Sequence, residues 1–275
     1  YTNLVMKNIY LLSVFLIFAC SSDDSSNNDC NQTNDLTISC SGIPYASIVY
    51  GTQEWTVENA CHTTYRDGTP IPQVTDDDEW LNLTTGAWCY FDNDPNKGVL
   101  YNWYAVRGGH DNDPNTPDKE FAPQGWHVPS HSEWISFEGY LMDSGYNSKP
   151  VTPRPLPYFG NVVNNYLGKA LASASEWNCD VAYPRNYHIM LNQSTNNSSG
   201  FNAFPAGSRF ISYSQNNPTA ADFIGWRSKA KFWTNSIAYD ESNNWYRPVY
   251  SELDFSLYYS ILGKQNGHSV RLVKD

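Results

Sequence analysis

The sequence predicts a single irregular α+β domain with two helices and many short, mostly antiparallel strands, preceded by an export signal. From residue 44 onward, short apolar stretches alternate with Gly, Pro, Asn and Asp, which is typical of short strands joined by turns. Helical periodicity is confined to two segments. The 10 Trp, 20 Tyr and 12 Phe residues supply enough apolar surface for a core in a chain of 275 residues.

Local patterns predict the individual elements. Aromatic and β-branched runs bounded by turn residues predict strands at 46–50, 53–57, 99–106 and 269–273. One helix is predicted to begin after Ser130, because Ser130 and Glu133 have the spacing of a capping box, and to end near 142–145. Apolar residues on one face predict a second helix over 161–173. The acidic run 76–79 predicts a solvated turn or a helix N-terminus.

The N-terminal residues carry export and anchoring signals. We interpret residues 1–19 as upstream residues followed by a signal peptide that starts at Met6. The apolar run Ile9–Ala19 is too short for a helix that crosses a membrane but fits a secretory signal. Its end at Cys20 resembles a bacterial lipobox, which implies lipidation of Cys20. The polar residues that follow predict a flexible tether over 20–44.

Charge and sequence context indicate where the protein acts. With 17 basic and 28 acidic residues, the net charge is −11, which argues against nucleic-acid partners and against binding to anionic lipid through a basic patch. The acidic pair after Cys20 resembles the signal that sends lipoproteins of Bacteroidetes-type bacteria to the cell surface. We therefore expect a lipid-anchored protein of the outer membrane that faces the exterior, with the anchor as its membrane contact.

The six cysteines allow disulfides in an exported protein. If Cys20 carries lipid, five remain and at least one is unpaired. Proximity in the sequence favours Cys30 with Cys40 and Cys61 with Cys89, and it leaves other pairings open.

Several segments together resemble a known family. They are 53–59, 65–72, 83–87, 100–106, 122–129, 199–203 and 269–275. In this order they resemble the Fibrobacter succinogenes major paralogous domain, over residues 45–275. That family occurs in exported and lipid-anchored bacterial proteins, and its biochemical role is largely undefined.

A more distant likeness concerns residues 126–134, which are similar to a segment of the formylglycine-generating (sulfatase-modifying) family. This likeness implies a C-type-lectin-like fold. The oxidase of that family uses a Cys pair near its C-terminus, and no Cys follows Cys179 here, so its chemistry is not expected. No nucleophile–base motif and no phosphate loop occur either. The sequence favours a protein that is not an enzyme and needs no cofactor.

The aromatic stretch between residues 230 and 262 is the predicted ligand face. Trp245, Tyr246, Arg247 and Tyr250 lie there among Asp, Asn and Ser. Exposed aromatic rings beside polar groups suit stacking on sugars or a protein interface. The alternative is that these rings pack the loops of the domain.

Asp92 and Asp94 form a candidate calcium site. Asp and Asn alternate at 92–96, and Ca²⁺ prefers 6–8 such oxygen ligands. The alternative is turn chemistry, because Asp and Asn side chains bind their own backbone. No distal Glu completes an EF-hand.

These observations predict a binding module on the cell surface, for a glycan or another extracellular ligand, with a role such as adhesion. The alternative is an accessory subunit of an outer-membrane transport or secretion complex, without a small ligand of its own. A metal-dependent or carboxylate-based enzyme is the third and least favoured hypothesis.

Overall fold

The computed structural model describes residues 44–148, 166–178, 188–214, 217–238, 243–250 and 260–275. The first half of the domain contains β1 (Ser47–Tyr50), β2 (Gln53–Thr56), α1 (Asp77–Leu81), β3 (Trp88–Tyr90), β4 (Val99–Tyr101), α2 (Trp103–Arg107), β5 (Trp126–His127) and α3 (His131–Asp143). The second half contains α4 (Gly168–Leu171), β6 (Ala206–Ser214), β7 (Asn217–Trp226), β8 (Lys229–Ile237), β9 (Asn243–Tyr250), β10 (Ser260–Gly263) and β11 (Val273–Lys274). This confirms the predicted irregular α+β domain.

The strands pair antiparallel in small sheets. One sheet has the order β1-β2-β11-β5, another has the order β10-β9-β8, and β3–β4 and β6–β7 form two hairpins. The last strand, β11, lies between β2 and β5, with Val273 opposite both Trp55 and His127. The C-terminus of the chain is therefore an interior strand of the sheet that contains its first strands.

Helix α3 confirms its predicted start and packs its apolar face on β2. The Ser130 hydroxyl accepts from the Glu133 backbone N–H, and the Glu133 carboxylate accepts from the Ser130 N–H, which completes the capping box. Trp134 and Phe137 are fully buried, and their ring centroids lie 4.6 and 4.8 Å from that of Trp55. Such a cluster combines apolar burial with edge-to-face aromatic contacts.

The acidic run 76–79 forms the start of helix α1. Of the two predicted alternatives, a solvated turn and a helix N-terminus, the structure shows the second. The Asp76 carboxylate accepts from the Glu79 N–H and caps the helix. Trp80 is the buried residue of this helix, and its indole N–H donates to the Gln265 carbonyl.

Two predicted elements differ from the structure. The strand predicted over 99–106 ends at Tyr101, because the buried Asn102 side chain accepts from the Ala105 N–H and caps α2. The same oxygen accepts from the Ala87 N–H, so a tertiary contact stabilises the cap. Of the second predicted helix, the structure describes α4, and residues 161–165 lie outside the described part.

The predicted Cys61–Cys89 disulfide is wrong. Cys89 is a buried free thiol on β3, and Cys61 is disulfide-bonded to another residue. Burial raises the pKa of the Cys89 thiol to about 12 against the lowering effect of Arg209. The candidates Cys20, Cys30 and Cys40 lie outside the described residues, as does the rest of the predicted tether up to residue 43. Within the described ranges, no helix combines the length and the apolar character that crossing a membrane requires.

Candidate ligand-binding pocket

A pocket of about 430 Å³ opens where loops from four parts of the chain meet. Its walls come from residues 57–61 after β2, from the β3–β4 hairpin at Tyr90 and residues 95–99, from residues 173–176, and from Asn202 and Phe204. Arg271, just before β11, lines its base. We call this the motif pocket, because two of its walls and its base belong to the segments 53–59, 199–203 and 269–275. Its volume lies within the range of small-molecule sites.

Arg271 connects these three segments. It is 1% exposed, and its guanidinium donates to the Asn59 side chain (2.8 Å) and to the carbonyls of Thr56 (2.9 Å) and Phe201 (2.8 Å). A further bond of 2.8 Å reaches the Asn202 carbonyl. The guanidinium also lies 4.5 Å from the Phe201 ring centroid. A planar fork of N–H donors suits this arrangement of carbonyls, which the point charge of Lys does not.

The charged groups on the pocket wall already have protein partners. Burial lowers the pKa of Arg271 to about 9, although Tyr50 and Glu58 act to raise it. The Lys97 ammonium lies 2.9 Å from the Asp92 carboxylate. The Glu176 carboxylate lies 3.4 Å from the Arg227 guanidinium. A ligand of this pocket therefore does not have to supply a counter-charge to these groups.

Neutral polar and aromatic side chains complete the wall. Asn202 and Ser175 are exposed, and Asn202 adopts a left-handed backbone with a φ of 56°. Tyr90 is half-buried, and its ring packs edge-on against Trp88 at 5.1 Å between centroids. The Phe204 ring is tilted against that of Trp226, with 5.8 Å between the ring centroids. The wall thus offers hydrogen-bonding groups beside rigid aromatic rings.

The structure corrects one residue of the ligand face predicted from sequence. Tyr246 is 5% exposed and belongs to the core, where its ring lies near Trp233 and His268. Its ring is therefore not an exposed stacking surface, contrary to the prediction. Trp245, Arg247 and Tyr250 lie on the same strand, β9, rather than on a loop, and their side chains lie outside the described part.

The described geometry gives the candidate calcium residues another role. The Asp92 carboxylate pairs with Lys97, so an ammonium already occupies its neighbourhood. The Asp94 carboxylate accepts from the Asn96 backbone and side-chain N–H groups, which is an Asx turn. Among the residues that the structure describes, no three His, Cys, Asp or Glu side chains are grouped to hold a metal ion. This loop instead brings Pro95 and Lys97 to the edge of the motif pocket.

A known protein family matches the part of the chain that contains the segments of the pocket. The sequence model of the Fibrobacter succinogenes major domain matches residues 48–274. The chain belongs to this family. No curated protein and no solved structure matches it. The relation to the sulfatase-modifying family and the C-type-lectin-like fold therefore stay predictions.

Sequence reasoning found the segments of this Fibrobacter succinogenes major domain but not the pocket that they form. The signal was the co-occurrence of 53–59, 199–203 and 269–275, which Arg271 connects in space. What the sequence does not contain is the distance between these segments, which only the packing of β11 against β2 defines.

Proposed function

We propose that the protein is a cell-surface binding module whose motif pocket holds a neutral, polyhydroxylated ligand such as a sugar unit of an extracellular glycan. The pocket itself supports this proposal. It combines exposed hydrogen-bonding side chains, Asn202 and Ser175, with the aromatic rings of Tyr90 and Phe204. Sugars present hydroxyl groups at their edges and apolar C–H faces, which match amide and hydroxyl groups beside aromatic rings.

The pairing of the wall charges supports a neutral ligand over an ionic one. Lys97 and Glu176 each have a partner of opposite charge, and Arg271 is occupied by carbonyls. An anionic or cationic ligand would have to displace these partners. A neutral ligand can bind beside them without breaking an ion pair.

The experiment is a binding screen of the protein against a panel of neutral and charged glycans, followed by calorimetry with each ligand found. Asn202→Gly removes the amide while keeping a residue that adopts positive φ without strain. We expect it to weaken binding about 3- to 10-fold, the effect of losing one or two hydrogen bonds. Asn192→Gly is the matched control, because Asn192 is also exposed with a φ of 50° but does not line the pocket.

Trp245→Ala distinguishes the motif pocket from the face predicted on β9. If Trp245→Ala abolishes binding while Asn202→Gly leaves it unchanged, the ligand binds on β9 and the pocket assignment is wrong. Equal affinity in all three variants would place the ligand elsewhere on the domain.

We further propose that Cys20 carries the lipid that holds the module on the outer membrane, facing outward. The motivation is the lipobox-like end of the signal peptide and the acidic residues after it. Protease treatment of intact cells should remove the domain, and Cys20→Ala should release it from the membrane fraction. Full protection from protease would place the domain in the periplasm, and a Cys20→Ala protein that stays on the membrane would exclude this anchor.

The second candidate function is docking on an outer-membrane complex. Ile48 and Val49 favour it, because they are 36% and 60% exposed on β1, which is the edge strand of its sheet. Cross-linking on intact cells, read by mass spectrometry, tests this function. A single stoichiometric membrane partner cross-linked at β1 would favour docking over glycan binding.

A further inference from the structure

A second group of buried polar side chains, separate from the motif pocket, includes two that have no hydrogen-bond partner. Lys231 on β8 is 4% exposed, and its Nζ lies 5.7 Å from the Phe210 ring centroid and 5.4 Å from that of Tyr246. A buried ammonium without a counter-charge is expensive, because water no longer solvates it.

His268 lies beside the same rings. It is fully buried between Trp233 and Tyr246, with centroid distances of 4.4 and 4.9 Å. Neither ring nitrogen has a hydrogen-bond partner, although the Gly267 backbone is nearby. Burial, to which the positive charge of Lys231 adds, holds the pKa of His268 well below its ordinary value. The imidazole is therefore neutral and carries one N–H donor.

Ser208 adds a third buried donor. Its side chain is fully buried, and its hydroxyl has no partner. Ser208 precedes Phe210 by two residues on β6, so both lie on the same face of that strand, the face that meets Lys231. Three strands or loops thus contribute donors to one apolar region, and none of these three residues carries a negative charge.

Native proteins rarely leave buried polar groups unpaired, and an unpaired cluster indicates a bound water or ion. We propose that Lys231, His268 and Ser208 form a buried site for a small inorganic anion of the size of chloride. An anion accepts hydrogen bonds from all three groups and neutralises the ammonium, whereas a water leaves the charge unbalanced.

The state of Lys231 agrees with this assignment. Burial, and after it the charge of Lys229, lowers the pKa of Lys231 to about 8. This is the response of an ammonium whose charge is not balanced by the protein itself. A bound anion would raise that pKa again and stabilise the contact of β6 with β8.

The test compares thermal unfolding of the protein in sodium chloride and in sodium gluconate at equal ionic strength, since gluconate is too large to enter. When the chloride concentration is raised from a trace to about ten times the dissociation constant of the site, we expect the melting temperature to rise by about 3–6 °C. Lys231→Met should abolish the rise. Lys264→Met is the matched control, because Lys264 also lies over two aromatic rings, those of Trp103 and Tyr104, and should leave the rise intact.

A crystal soaked in bromide gives a direct readout: an anomalous peak between Lys231 Nζ and the His268 ring supports the site. An ordered water in that position, or the same chloride response in Lys231→Met as in the unmodified protein, overturns it. Should Lys231→Met not fold, Ser208→Ala removes a single hydroxyl and must weaken chloride affinity several-fold. Unchanged affinity in Ser208→Ala would also overturn the proposal.

Discussion

Replacing Arg271 by Met should remove a large part of the stability of the domain. Arg271 makes four hydrogen bonds, to the Asn59 side chain and to the carbonyls of Thr56, Phe201 and Asn202. The substitution keeps an apolar stem of similar length but deletes every donor. Three carbonyls and one amide oxygen then lose their partner, and the bonds to the Thr56 and Phe201 carbonyls are buried.

The magnitude follows from these four bonds. A net contribution of about 1 kcal/mol for each gives about 4 kcal/mol, and carbonyls left buried without donors add to it. Removing the guanidinium also removes the cost of burying its charge, which offsets part of the loss. We expect the free energy of unfolding to fall by about 3–5 kcal/mol, out of about 5–15 kcal/mol for a typical domain.

Urea unfolding, followed by Trp fluorescence, measures this loss. With a slope of about 2–3 kcal/mol per molar urea, the midpoint should fall by about 1–2 M. Arg271→Lys should lose nearly as much, because the ammonium cannot reach four acceptors in three directions. Lys274→Met, three residues along the chain, removes an exposed pair with Glu54 and should leave the midpoint nearly unchanged.

A loss below about 1 kcal/mol in Arg271→Met would contradict the stabilising role of these four hydrogen bonds. It would mean that the three segments are held by apolar packing alone, and that Arg271 fills a space rather than connecting them. A large loss in the Lys274→Met control would instead show that the C-terminal strand is sensitive to any substitution.

Three further predictions concern His127, Cys89 and Gly108. Partial burial acts to lower the pKa of His127, but hydrogen bonds with Glu133 (2.7 Å) and Asp275 (2.9 Å) outweigh it and raise that pKa. A histidine whose pKa is raised in the folded state stabilises the fold when it is protonated. This stabilisation is complete below the unfolded-state pKa of about 6.5 and is lost as the pH rises through the folded-state pKa. Urea titrations at several pH values should therefore show that the free energy of unfolding decreases across this pH range, and His127→Gln should make the decrease smaller. If the free energies of the two proteins depend on pH in the same way, His127 does not have this role. The Cys89 thiol should not react with a thiol reagent in the folded protein, because the thiol is fully buried and its pKa is about 12. It should react once urea unfolds the protein. Rapid labelling without urea would contradict the burial of Cys89. Gly108→Ala should destabilise the domain by about 2–4 kcal/mol, because the φ of Gly108 is +82° and an added Cβ would meet the Lys119 carbonyl oxygen. Gly68→Ala is the control and should cost only about 1–2 kcal/mol, because Gly68 has a φ of +87° but open space around its Cβ position. Similar losses of the two variants in thermal unfolding would show that the contact with Lys119 relaxes.

Helix α3 illustrates which features of the fold can be predicted from sequence. Its capping box and apolar face involve residues three or four apart, so the pattern determines both its start and its buried side. The segment 99–106 illustrates the opposite case. Its aromatic and β-branched residues favour a strand, but Asn102 ends it after β4, because its side chain is held by Ala87 and Ala105. A buried contact with Ala87, fifteen residues away, is not visible in the local pattern.

The candidate site follows the same division. Aromatic composition pointed to β9, yet the burial of Tyr246 depends on Trp233 and His268, which belong to other elements. Proximity in the sequence suggested a Cys61–Cys89 disulfide, but Cys89 lies in the core next to Arg209. Neither outcome could be predicted without knowing which strands pair.

Short patterns and ordered motifs along the chain are enough to predict the α+β class, the start of α3 and the family. The location of the motif pocket and the state of the cysteines depend instead on contacts between distant parts of the chain. The physical reason is chain separation: Arg271 binds Asn59 and Thr56 across more than 200 residues, and such contacts form only when β11 inserts beside β2. The shape of the motif pocket depends on this contact of β11 with β2.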